Sequence, residues 1–190
     1  MKRVISILSL VVVILTTGLV SEAKTTKKKS SHSAPRGEFI KTDVITGDFD
    51  GDGKMDGIWT EGRYDDEGYA IGKIKLCSDN PKLAQKLSWD GLMGVELINL
   101  GKLAGSNTDL LGVIPYAMST WCMFCTYKFN NSNWVEVLQP FEVWTDDEDS
   151  PLGVVPARSG KDGFVGIYYN DGDDFDESFE RKYKEVKLNF

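Results

Sequence analysis

The chain has 190 residues, 41% of them hydrophobic and 27% charged, with 29 acidic and 22 basic side chains and a single histidine, His32. This is globular composition, which excludes a collagenous, wholly disordered or polytopic membrane chain. His32 sits in a polar stretch near the N-terminus, which excludes histidine-centred chemistry from any folded part.

Met1, Lys2 and Arg3 precede a mostly apolar run from Val4 to Val20, and Ser21-Glu22-Ala23 puts small residues at −3 and −1. The pattern predicts a signal peptide over 1–23, cleavage after Ala23, and a secreted or periplasmic product. The run is short for a bilayer span and contains Thr16, Thr17 and Gly18, so no membrane span is expected after its removal. Residues 24–36, KTTKKKSSHSAPR, carry five cations and no acid and are expected to be a disordered basic linker. What remains, 37–190, holds 15 bases against 28 acids, a net charge of −13. A field of that sign repels phosphates, so nucleic acid is not an expected partner, and it suits cations.

Three segments align without gaps on one aspartate each: GDGKMDGIW on Asp56, GSNTDLLGV on Asp109 and RSGKDGFVG on Asp162, at intervals of 53 residues. After each anchor comes an apolar β-type stretch: Ile58-Trp59, Leu110 to Ile114, and Phe164 to Tyr169. Further strand-like runs follow at Ala70 to Cys77, Leu83 to Trp89, Trp121 to Phe129, Trp134 to Leu138 and Phe179 to Leu188. The turn Asn130-Asn131-Ser132-Asn133 joins two of them as a hairpin. Asn80 to Leu87 is the one helical candidate after the leader. The expected class is all-β. It would comprise about three degenerate four-stranded repeats like propeller blades, in a partial or compacted propeller, with a sandwich as the alternative.

The sharpest motif is GDFDGDGKMDGIW at Gly47 to Trp59. Asp48, Asp50, Asp52 and Asp56 occupy positions 1, 3, 5 and 9 of a loop, with Gly53 at position 6 and the Lys54 carbonyl at position 7. Alternate aspartates in a tight turn supply the hard oxygens Ca2+ needs, and four carboxylates this close would otherwise repel one another. An EF-hand would place glutamate at position 12, where this chain has Trp59, and would lead into a helix rather than a strand.

Over Ile45 to Trp59 the motif resembles the FG-GAP or VCBS repeats of integrin alpha-like propellers, in which a D-x-D-x-D-G-x-x-D loop bridges two strands of a blade and holds calcium. The resemblance implies Asp48, Asp50, Asp52, the Lys54 carbonyl and Asp56 as ligands. Units two and three keep only the last aspartate, so one calcium site is expected. The family uses the fold mostly for adhesion or ligand binding, which implies no reaction.

Trp121-Cys122-Met123-Phe124-Cys125 looks like a thioredoxin redox site, but that chemistry needs a helix N-terminus, and the residues around it are β-type. Residues three apart on a strand face opposite sides, so the two thiols are not expected to pair. A structural disulfide from Cys77 to Cys122 or Cys125 is the alternative in an oxidising compartment. The acidic stretches 146–149 and 171–177 read as solvated loops. Trp59, Trp89, Trp121, Trp134 and Trp144 read as packing residues rather than a sugar platform. The leading expectation is an exported, non-catalytic calcium-binding β protein whose partner is an unknown protein or glycan and which could oligomerise. A secreted inhibitor or immunity-type protein is the second class. A thiol-disulfide oxidoreductase through Cys122 and Cys125, or a carboxylate-pair hydrolase, is the third.

Overall fold

A computed structural model describes residues 37–84, 86–119, 121–144, 156–169 and 182–190. The predicted signal peptide, the basic linker and the acidic stretches 146–149 and 171–177 lie outside the described residues. Within these bounds the chain is all-β, built from three antiparallel sheets whose strands follow sequence order.

The first sheet has Glu38–Lys41 (β1) and Ile45–Gly47 (β2) along one side of Asp56–Tyr64 (β3), followed by Lys73–Ser78 (β4) and Ser88–Asp90 (β5). Both β1 and β2 pair with β3, in the registers Glu38↔Tyr64 and Ile45↔Ile58. The second sheet is Gly94–Gly101 (β6), Leu110–Tyr116 (β7), Trp121–Phe129 (β8) and Trp134–Trp144 (β9). The third is Ala157–Arg158 (β10), Phe164–Tyr169 (β11) and Lys182–Lys187 (β12).

Two apolar clusters show how the sheets stack. Phe49, Ile58, Ile74, Leu76, Leu111, Val113 and Trp134 form one, between the first and second sheets. Leu110, Ile114, Phe124, Phe141, Val143, Val165 and Ile167 form the other, between the second and third. Strand β7 serves both: Leu110 and Ile114 face one cluster, Leu111 and Val113 the other, as a period of two requires. A strand buried on both faces needs a continuous apolar run, and Leu110-Leu111-Gly112-Val113-Ile114 is one. Gly112 has no side chain because Phe124 crosses it, with the ring Cζ 2.8 Å from where a Cβ would stand. Among the described residues no closed barrel or propeller ring is formed.

Asp56 opens β3, and Asp109 and Asp162 stand just before β7 and β11, strands that hold second place in the spatial order of their sheets. The 53-residue spacing thus marks topologically matching positions. Several local expectations are corrected. Asn80 to Leu87 forms no helix in its described residues: Leu83 N donates to the Asn80 carbonyl at 3.0 Å, and Lys82 N to Asn80 Oδ1 at 3.0 Å, which closes a turn instead. The strand expected from Leu83 is only Ser88–Asp90. Leu83 is buried in the turn, where its carbonyl accepts the Trp134 indole N–H at 3.2 Å.

No disulfide links Cys77, Cys122 and Cys125, so the alternative of a structural disulfide is not realised. Cys122 is buried in the cluster toward the third sheet, and Cys125 packs on the cluster toward the first, so the two lie on opposite faces of β8. Cys77 belongs to β4, in another sheet. Trp134 is a packing residue, edge-on to Phe49 at 5.9 Å and to Phe129 at 5.5 Å. Trp59 is only half-buried, under the Lys41 ammonium at 4.1 Å. The Trp144 side chain lies outside the described residues.

Candidate metal centre

The loop from Asp48 to Met55 joins β2 to β3, adjacent strands of one sheet. Alternate aspartates shape it through their own side chains, each accepting an amide a few residues on. Asp48 Oδ1 takes Gly53 N at 3.2 Å, Asp50 Oδ1 takes Asp52 N at 3.1 Å, and Asp52 Oδ1 takes Lys54 N at 2.8 Å. Gly53, at φ +83°, permits the reversal, which a residue with a Cβ would strain. The three carboxylates converge, one oxygen from each lying within 4.8 Å of the others.

The Oδ2 atoms face ammonium groups. Lys102 Nζ lies 3.0 Å from Asp48 Oδ2, Lys82 Nζ 3.0 Å from Asp50 Oδ2, and Lys54 Nζ 3.7 Å from Asp52 Oδ2. The Lys102 hydrogen bond holds the Asp48 carboxyl below its ordinary range against the opposing effect of burial. Lys82 does the same for Asp50, helped by Asn80. The Lys82 ammonium is pushed up in return, chiefly by its bond to Asp50. Mutual repulsion of the aspartates is therefore relieved by lysines from three separate segments.

Asp56 does not join the cluster. Both its oxygens brace the loop: Oδ2 accepts Phe49 N at 3.1 Å and Asp50 N at 3.4 Å, and Oδ1 accepts Asn80 Nδ2 at 2.8 Å. The loop is also fastened to the second sheet. Asp48 N donates to Asp109 Oδ2 at 2.9 Å, and Asp109 N to the Asp48 carbonyl at 2.9 Å. Asn99 on β6 donates to the Thr46 carbonyl at 2.7 Å and to Asp109 Oδ2 at 3.3 Å. Gly47 admits this approach, since a Cβ there would stand 2.6 Å from Asn99 Nδ2. Sequence reasoning missed Asn80, Lys82, Asn99 and Lys102. Asp109 was visible as a repeat anchor but not as a clasp.

The donor set is one that could hold a metal ion. It comprises only oxygens, three carboxylates in one short loop, and a backbone already turned by the amide bonds that orient them. No sulfur or imidazole is present to favour a softer metal.

A groove of about 930 Å³ lies where the first sheet meets the second. Glu38, Asp43, Asp65, Asp66 and Glu96 stand on its walls, and no cation among the described residues does. Ile40, Ile45, Val95 and Leu97 supply its apolar part. Tyr116 donates to Glu96 Oε2 at 2.5 Å, and its hydroxyl is pushed up, first by burial and then by that bond.

The chain matches no protein-family model, no curated protein and no solved structure. Among the described residues no helix is long and apolar enough to cross a membrane.

Proposed function

We propose that this is an exported, non-catalytic calcium-binding β protein of the FG-GAP or VCBS kind. One Ca2+ in the 48–56 loop would stiffen a domain that binds a macromolecular partner. The observation that carries the reading is the convergence of Asp48, Asp50 and Asp52 within 4.8 Å on a loop bridging two adjacent strands. Ca2+ supplies a divalent charge that replaces the flanking ammonium groups. The chain's own residues do the rest. Asp48, Asp50 and Asp52 bind, with the Lys54 carbonyl as the expected fourth donor, and Asp56 and Asn80 hold the loop amides in place. Asp109 couples the loop to the second sheet, so an ion that rigidifies the loop stabilises the junction between sheets. The matching positions of Asp56, Asp109 and Asp162 support a blade-like repeat, with the three sheets as an arc rather than a ring.

The test is thermal unfolding in chelator and in 10 mM Ca2+. An extracellular loop with Kd of about 10⁻⁴ to 10⁻³ M stabilises the fold by roughly 1.4 to 2.7 kcal/mol at that concentration. A domain of this size then melts about 3 to 10 °C higher. Asp50→Ala removes the difference. Identical melting curves in chelator and calcium end the proposal.

The acidic groove favours a second reading, an inhibitor or immunity-type protein whose target is a basic polypeptide. An inhibitor abolishes its target's activity at a stoichiometric ratio, whereas an adhesion module leaves it intact. Thiol catalysis has little support: burial, then Glu136, pushes the Cys125 thiol up, which keeps it from acting as a thiolate.

A further inference from the structure

Lys102 belongs to two sites. Its ammonium bonds Asp48 Oδ2 at 3.0 Å, and the same side chain lines a polar pocket of about 410 Å³ between the loop before β7 and the loop before β11. The other charged walls are Arg158, Lys161 and Asp162, so three cations face one acid in a domain that is acidic elsewhere. Ser106 and Ser159 add hydroxyls, and Gly105, at φ +83°, leaves open space where a side chain would project. Besides Lys102, three groups there are already engaged: Lys161 lies over the Phe164 ring at 3.8 Å, Ser159 donates to Glu185 Oε1 at 2.5 Å, and Ser106 Oγ donates to the Thr108 carbonyl at 2.7 Å. Arg158 is exposed on the rim, where its planar fork suits an oxyanion.

We infer that this pocket binds a sulfate or phosphate group, and that calcium in the neighbouring loop switches it on by releasing Lys102. The inference rests on the calcium reading. Without the ion, Lys102 is bonded to Asp48 and its charge is neutralised there. A divalent cation taken by Asp48 repels the ammonium, which then turns its charge into the pocket beside Arg158 and Lys161. Linkage makes the effect reciprocal, so the oxyanion tightens calcium by the same factor that calcium tightens the oxyanion.

Titration calorimetry with inorganic sulfate, in chelator and in saturating Ca2+, tests this at matched ionic strength. Sulfate should bind about five- to tenfold more tightly with calcium, and calcium should gain the same factor with sulfate. Glucose 6-sulfate as a second probe separates a free ion from an ester: tighter binding of the ester assigns the remaining volume to its carrier. Arg158→Gln should lose sulfate binding and the coupling while keeping calcium affinity. Asp48→Asn releases Lys102 with no metal, so this variant should bind sulfate in chelator, and adding Lys102→Met should remove that binding. Equal sulfate affinity of the unaltered protein with and without calcium overturns the switch. Absence of sulfate binding in both the calcium-loaded protein and Asp48→Asn overturns the pocket. If calcium itself does not bind, the metal reading has failed separately. Asp48→Asn still decides the pocket, since sulfate binding there and not in the unaltered protein upholds the role of Lys102.

Discussion

Replacing Asp109 by alanine tests whether the junction between the first two sheets is held by the clasp to Asp48. The substitution deletes an acceptor from two bonds, Asp48 N at 2.9 Å and Asn99 Nδ2 at 3.3 Å. Asp48 is buried, and its amide would face a methyl group. A buried donor left without its partner costs about 1 to 3 kcal/mol, and bonds to a charged acceptor lie at the upper end. Asp109 is only half-buried, so water can reach part of the gap, which places the loss near 2 kcal/mol. Melting should fall by about 4 to 8 °C for a domain of this length. Asp109→Asn keeps an acceptor without the charge and should lose about half as much. Guanidinium unfolding followed by tryptophan fluorescence, in chelator, measures both variants. A change within about 0.5 kcal/mol of the unaltered protein is ordinary for a surface substitution and would refute the clasp. Equal losses in the alanine and asparagine variants would refute the role given to charge.

Two further outcomes are expected. Asp48 and Asp50 have folded values below their ordinary range, so the stability they contribute is fully present above about pH 4. It is lost as pH falls further, through the folded values. Melting measured from pH 5 to 2.5 in chelator should show this acid limb, flattened in Lys82→Met and Lys102→Met; identical slopes would remove lysine pairing as its cause. Trp134→Ala should destabilise by about 3 to 5 kcal/mol through the void left against Phe49 and Phe129. Trp134→Phe should cost less, since it keeps the packing and drops chiefly the bond to the Leu83 carbonyl, and chemical denaturation ranks the two.

The sequence announces some of this architecture because period-two alternation and turn chemistry are local. The runs Leu110–Ile114 and Trp121–Phe129 become strands because their apolar and β-branched content has nowhere else to be buried. Cys122 and Cys125 face opposite sides of β8, as their odd spacing requires. The strand Gly94–Gly101 was not legible. Its Glu96 and Asn99 interrupt the apolar pattern, and their reason for being there lies across space, in Tyr116 and Asp109. The same holds at the candidate metal centre. Spacing identifies Asp48, Asp50 and Asp52, but it cannot tell a carboxylate that points at a cation from one that accepts two loop amides, which is what Asp56 does. Lysines 82 and 102 carry no local signal at all, since they come from turns 32 and 54 residues beyond the aspartates they meet.

On the proposed repeat reading, the degeneracy of the three units has a physical cause. Three copies of an acidic loop at one end of stacked sheets would gather like charges. Here only the first copy keeps the alternating acids. The second copy retains Asp109 as a clasp and adds Lys102, whose ammonium neutralises Asp48. The third retains Asp162 and adds Lys161 next to it, beside Arg158, across the pocket that Lys102 also lines. Charge therefore alternates from acidic to basic across the three loops, with Lys102 at the boundary. On the proposed switch, that order would let an ion bound at the first loop act on the third without any movement of the sheets, because one flexible side chain is all that has to change partner.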